Sequence, residues 1–345
     1  MANPYSLVFG KEPSQFISRL KQTREILDNF TAETSPQQVY MITGVRGSGK
    51  TVMMSYISDT LNKKADWVTV ELNSEDDLLK SLGAKLYNHI SISKLFQSLR
   101  ISLSAFGLSV ELQKKEEIFD TEIAISQMLE VLKKHKKRVL ITIDEVINSS
   151  SVRQFVSAYQ IFVRQNAPVY LLMTGLYENI SNLQDEKNLT FLYRAPKINL
   201  EPLNMGSISR NYKDTLNVDD STSHEMAKLT CGYPYAFQVL GYLTYQNNGD
   251  YHSVLADYRQ HLEEYVYEKI WSELSDMDKK IAYGIASCDS HKINDIRAIL
   301  NIDTNHFNPY RKRLIRKGII NGSVHGHVTF TLPLFGEFVM ENYIE

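Results

Sequence analysis

Cysteine is scarce: the 345-residue chain holds two, Cys231 and Cys288. Neither has CxxC spacing nor a histidine or acidic cluster beside it, which argues against a disulfide framework or a thiolate metal site and leaves both as small core residues. Long hydrophobic runs are also missing. The longest apolar stretches, such as Val169 to Met173, fall far short of the roughly 18 residues that a membrane span needs. The opening MANPYSLVFG lacks the basic and apolar regions of a signal peptide, so a cytoplasmic protein is expected. Nor is there an excess of one charge. Lys plus Arg total 38 against 40 Asp plus Glu, and a formal net charge of −2 argues against a protein that coats nucleic acid by bulk charge. No internal repeat or low-complexity linker interrupts the chain. What remains, at 43% hydrophobic and 10% aromatic residues, is an ordinary globular composition, with length for about two or three domains.

Through the first 200 residues, apolar β-branched and aromatic runs alternate with helical patterns. Strands are expected at Val39 to Thr43, Trp67 to Leu72, Val139 to Ile143, Val169 to Thr174 and Lys197 to Leu200. Helices are expected between them at Thr51 to Asn62, Asp76 to Ile90, Glu117 to Lys134 and Val152 to Arg164. Near-continuous apolar strands are those buried on both faces of a parallel sheet, so residues 1–200 read as an α/β domain. Beyond Glu201-Pro202-Leu203 the strand signal stops and residues 201–272 read as all-helical. The remainder, 273–345, shows two helices, a short basic helix expected to start at Asn308-Pro309, and two strands, Gly318 to Val324 and His327 to Leu332, turning at His325-Gly326. That order is a winged helix-turn-helix.

The strongest motif is Gly44-Val45-Arg46-Gly47-Ser48-Gly49-Lys50-Thr51, which fits GxxxxGK[ST] at every fixed position. Backbone N–H groups must wrap a phosphate there, and the glycines permit the dihedrals and close approach involved. Lys50 would reach the β- and γ-phosphates of ATP or ADP, and the Thr51 hydroxyl would ligate Mg²⁺. The helix running from Lys50 through Val52 points its positive end at the same anion. An apolar strand enters the loop and a helix leaves it, the context this motif requires.

A second element, Val139-Leu140-Ile141-Thr142-Ile143-Asp144-Glu145, is an apolar strand ending in two carboxylates. Asp144 would hold the Mg²⁺ hydration shell, and Glu145 would polarise the water attacking the γ-phosphate. Thr174, at the end of its strand, is a candidate γ-phosphate sensor or a plain strand-end turn residue. Arg194 is a candidate finger for transition-state charge, in its own chain or in a neighbouring subunit of a homo-oligomer, or else a solvated surface arginine.

Together, GVRGSGKT, VLITIDE, Thr174, an all-helical lid and a winged helix resemble the AAA+ superfamily. The closest likeness is to the branch of origin-recognition-type initiators and STAND-type ATPases, and to a group of bacterial ATP-binding proteins. It rests on Asn3-Pro4-Tyr5, the motif at 43–51, Cys231-Gly232-Tyr233-Pro234, and RKRLIRKGIINGSVHGHVTFTLPLFGEF at 311–338. The resemblance implies a P-loop α/β domain, a lid and a winged helix, with nucleotide between the first two. It also implies that Pro234 contacts the nucleotide near the adenine, although proline equally suits a helix start. Two departures are visible. Ser18-Arg19 stands where relatives have Gly-Arg, and Gly232-Tyr233-Pro234-Tyr235 supplies no second-sensor arginine, which favours a slow switch over fast turnover.

Net charge is distributed unevenly: +3 over residues 1–200, −5 over 201–270 and zero beyond, yet +5 within 292–328. On the short basic helix, Tyr310, Leu314 and Ile315 share one face and Lys312, Arg313 and Arg316 lie toward the other. Such a face suits the major groove of duplex DNA, with His325-Gly326-His327 as a wing; the alternative is a protein-binding winged helix. The run Lys133 to Arg138 reads as a solvated helix C-terminus, and Leu99 to Leu112 as a surface hairpin. The expected function is therefore an ATP-binding, slowly hydrolysing AAA+ protein whose nucleotide state places a DNA-binding winged helix. The alternative is a STAND-like signalling switch whose winged helix contacts protein.

Overall fold

The computed structural model describes residues 2–8, 15–17, 19–96, 106 and 120–344, so the hairpin expected at 99–112 lies outside the described residues apart from Phe106. Packing divides the chain into two units. One comprises Leu20–Thr43 and Lys50–Asn199; the other comprises Met1–Arg19, Gly44–Gly49 and Leu200–Glu345.

The first is a sheet unit. Five strands, β1 (Val39–Thr43), β2 (Trp67–Asn73), β3 (Arg138–Asp144), β4 (Val169–Gly175) and β5 (Lys197–Asn199), pair in parallel in the order β2-β3-β4-β1-β5. Both faces are buried, as the continuous apolar runs require. Val68, Val70, Ile141, Ile143, Leu171 and Met173 belong to a core shared with α3 (Leu78–Tyr87), α4 (Thr121–Lys134), α5 (Ser150–Arg164) and α6 (Tyr177–Gln184). Alternate residues point the other way. There Tyr40 and Tyr170 meet Phe30 of α1 (Leu20–Thr31), with ring centroids 5.6 and 5.2 Å apart, beside α2 (Lys50–Asn62). Register pairs Ile42 with Thr174 and Asn73 with Asp144, so the chemically interesting residues of β3 and β4 stand at the carboxyl ends of neighbouring strands. In an open parallel sheet, ligands bind at that edge.

The second unit is mainly helical: α7 (Met205–Leu216), α8 (Asp220–Leu229), α9 (Pro234–Gln246), α10 (Leu255–Leu262), a π-turn at Glu263–Tyr267, α11 (Glu268–Ser272), α12 (Asp276–Ala286), α13 (Ile293–Leu300) and α14 (Thr304–Arg316). A two-stranded antiparallel hairpin, β6 (Ile320–Asn321) and β7 (Thr329–Phe330), follows, then α15 (Phe335–Asn342). Among the described residues no helix is long and apolar enough to cross a membrane.

Three local expectations change. Helix α14 starts at Thr304 rather than at Asn308, because the Asp303 carboxylate caps it by accepting from His306 N at 2.8 Å and because Phe307 is fully buried. Pro309 therefore sits inside the helix, where its missing N–H leaves the Asn305 carbonyl without the usual partner. The hairpin is also much shorter than expected, at two residues per strand. Finally, the chain closes on a helix: Phe335, Phe338 and Val339, at helical spacing, bury one face of α15.

Candidate functional site

In the sheet unit, the parallel register sets the Asp144 carboxyl beside Thr174, and α2 contributes Thr51 from its first turn. The Thr51 hydroxyl donates to Asp144 Oδ2 at 2.7 Å, and the Thr174 hydroxyl donates to Oδ1. The Glu145 amide adds a bond to Oδ1 at 3.0 Å and one to Thr174 Oγ1 at 3.3 Å. Asp144 is thus held at both oxygens by donors that carry no charge. Thr174 is completely buried, and its hydroxyl is already committed to Asp144 and Glu145, which makes it a support for the carboxylate as well as a strand-end residue. Glu145 leaves the strand at φ 47°, a left-handed conformation that turns its side chain out of the ladder into an exposed position. Ser74 Oγ secures this bend by donating to the Glu145 carbonyl at 3.3 Å, a support that no sequence pattern signalled. Lys50, the first residue of α2, is 8% exposed, and Val52 lies half-buried in the same first turn. Arg194 is exposed at the end of the short 3₁₀ turn Thr190–Arg194 that precedes β5.

In the helical unit, residues Gly44 to Gly49 form a glycine-bearing loop. Gly47 at φ 70° and Gly49 at φ 86° occupy the left-handed region where a side chain is strained. Three groups grip the loop from outside. Tyr233 Oη donates to the Arg46 carbonyl at 2.6 Å. Arg19 Nη2 donates to the Ser48 carbonyl at 3.2 Å. The Arg46 guanidinium pairs with Glu273 at 2.6 Å. Burial pushes the Arg19 guanidinium down to about 10, with Glu201 acting against that shift. Pro234 is the first residue of α9, the position proline favours, and its Cβ would stand 4.0 Å from a Cβ built on Gly49.

Of the basic residues at the end of the unit, Lys312, Arg316 and His325 are exposed. Arg313 departs from its expected outward role. Its Nε donates to Asp278 Oδ1 at 2.9 Å and its guanidinium lies 4.8 Å over the Tyr310 ring, so it supplies a charged partner to a carboxylate that is 1% exposed. Arg313 thereby fastens α14 to α12.

A family model described as an ATPase domain predominantly from Archaea matches residues 16–192, and one described only as a domain of unknown function matches 264–339. Among solved structures, the chain is similar to the Walker-type ATPase PABY2304 of Pyrococcus abyssi at 16% identity and a TM-score of 0.64, covering 94% of this chain and 96% of that one. It is also similar to the ORC2 protein of Aeropyrum pernix, solved as ADPNP-ADP complexes, at 10% identity and a TM-score of 0.59, covering 97% and 95%. No curated protein matches the chain. At such identities the likeness concerns the fold alone: a five-stranded parallel sheet flanked by helices and followed by a helical region.

Proposed function

Because the chain belongs to the family of ATPase domains found predominantly in Archaea, we propose a division of labour among its residues for ATP hydrolysis. Lys50, Val52 and the amides of residues 44–51 hold the phosphates of ATP or ADP, the helix α2 contributing its positive end. Thr51 supplies a hydroxyl oxygen, a hard donor that suits Mg²⁺, and the Asp144 carboxylate holds the ion's hydration shell. Bound there, the ion would neutralise charge developing on the phosphates. Thr174 fixes the Asp144 carboxylate. Glu145, exposed and turned out of the strand, orients the attacking water and accepts its proton. Pro234 contacts the base side of the nucleotide. Arg194, exposed, is the residue offered to transition-state charge across a homo-oligomer contact. The lack of an arginine at 232–235 favours slow turnover, with the nucleotide state governing the placement of the lid, 201–272, and of residues 273–345.

The observation that supports this most is the Asp144 carboxylate, gripped at both oxygens by neutral donors. Glu145→Gln tests the hydrolytic role: ATP should bind as before while turnover falls by a factor of about 100 or more. Unchanged turnover would assign the water to another residue.

The same proposal extends to residues 273–345 as a winged helix that binds duplex DNA through the exposed Lys312, Arg316 and His325. One observation favours a second reading, a signalling switch in which these residues contact protein. Gly318, just after α14, lies against the loop, where a Cβ built on it would be 3.6 Å from the Val45 nitrogen. Duplex binding at low salt, with and without ATP, separates the two. Binding supports the DNA reading, and its absence in both states supports the switch.

A further inference from the structure

The loop at 44–49 has one partner that neither its own motif nor the carboxylate cluster accounts for. Tyr233 is 3% exposed, and its single phenolic hydroxyl is spent on the carbonyl of Arg46 at 2.6 Å. A trans peptide points its C=O and its N–H in opposite directions. Whatever holds the Arg46 carbonyl therefore also aims the N–H of Gly47, in the same peptide plane, away from the tyrosine. Arg19 repeats the arrangement two residues on, donating to the Ser48 carbonyl at 3.2 Å and so aiming the N–H of Gly49. The Arg46 and Ser48 carbonyls thus face donors from outside the loop, and the amides that follow them face the other way.

The contact is too close to be incidental. A Cβ on Gly47 would come within 2.2 Å of Tyr233 Oη and 3.0 Å of Tyr235 Cβ, so the ring is seated where only glycine leaves room. Tyr233 is itself fixed. Its N–H donates to the Thr230 carbonyl at 2.8 Å, and it accepts from Phe237 N at 3.0 Å as the N-cap of α9. The preceding Gly232, at φ 75°, packs so tightly on Leu203 that an added Cβ would be 2.7 Å from the Leu203 carbonyl oxygen. Burial raises the phenol far above its ordinary range, which keeps the hydroxyl protonated and donating. The Arg46–Glu273 pair restrains the same residue through its side chain.

We propose that Tyr233 is a positioning residue for the phosphate loop: by holding the Arg46 carbonyl it aims the Gly47 N–H at the bound phosphate and so couples nucleotide affinity to the start of α9. This rests on the reading of residues 44–51 as the ATP phosphate site. Tyr233 touches no nucleotide atom in this role; it acts through the peptide it holds.

Steady-state hydrolysis of ATP by the full-length chain tests it, comparing wild type, Lys50→Ala and Tyr233→Phe, with the thermal midpoint of each nucleotide-free protein as a check on folding. Tyr233→Phe keeps the ring and loses one hydrogen bond, so KM should rise about five- to tenfold while kcat changes less than twofold and the midpoint stays near that of wild type. A KM equal to that of wild type, or a loss confined to kcat, would overturn the proposal. Nucleotide binding by wild type that persists undiminished in Lys50→Ala would instead overturn the phosphate-site reading, so the two failures are distinguishable. A second measurement needs no variant: in wild type labelled with ¹⁵N-glycine, the Gly47 amide resonance should move downfield on adding ADP, and a stationary resonance sinks the proposal.

Discussion

Two carboxylates, one in each packing unit, are held in opposite ways. Asp144 is half-buried at the end of β3, and its oxygens accept from the hydroxyls of Thr51 and Thr174 and from the Glu145 amide. Asp278 is 1% exposed on α12, and its oxygens accept from the Arg313 guanidinium and from Ser275, whose hydroxyl donates at 2.9 Å. Neutral donors orient a carboxylate without cancelling its charge; a guanidinium cancels the charge and turns the pair into a fastener. The first arrangement orients a carboxylate at the edge of a parallel sheet. The second uses its anion to lock two helices. Their sequence contexts differ as well: Asp144 closes the apolar run Val139 to Ile143, whereas Asp278 stands between Met277 and Lys279.

Breaking the fastener should give the largest effect. Arg313→Ala leaves Asp278 buried without its cation, and the helical unit should lose about 2 kcal/mol, toward the low end for a buried pair because the guanidinium is itself partly solvated. Denaturant unfolding measures this, and a loss below about 0.5 kcal/mol would show that Asp278 tolerates burial by other means. Next comes the support on the other side of the comparison. Thr174→Val removes a donor to Asp144 while keeping the volume, and kcat should fall about tenfold with little change in ATP affinity. An unaltered kcat would mean that the Thr51 and Glu145 bonds suffice to aim the carboxylate. The smallest effect concerns the exposed Lys312 and Arg316 of α14. If duplex DNA binds, replacing Lys312 and Arg316 by alanine should reduce the salt slope of binding by about two. A slope that does not move would place the contact elsewhere on the unit.

Much of the sheet unit was legible in advance, because strands buried on both faces produce uninterrupted apolar runs. The five strand positions follow from runs such as Val139 to Ile143, and Lys50, Thr51 and Asp144 from the two motifs. Local signals misled where burial outweighed them. Asn308-Pro309 is a strong helix start on its face, yet Asp303 and the buried Phe307 begin α14 earlier. No helix was expected after the hairpin, yet Phe335, Phe338 and Val339 gain enough burial to form α15. Contacts between residues distant in sequence were not legible at all. Arg313 reaches an aspartate 35 positions away, and Tyr233 reaches Arg46 across 187. Such partners are set by packing, and no spacing rule encodes them.

The proposed hydrolysis depends most on the Asp144 carboxylate holding the hydration shell of Mg²⁺. Titrating ATP into wild type and Asp144→Asn, each with and without Mg²⁺, tests that claim most directly. Wild type should bind ATP more tightly when Mg²⁺ is present, whereas Asp144→Asn should bind ATP with nearly the same affinity in both conditions. An equal Mg²⁺ response in the two proteins would contradict the account.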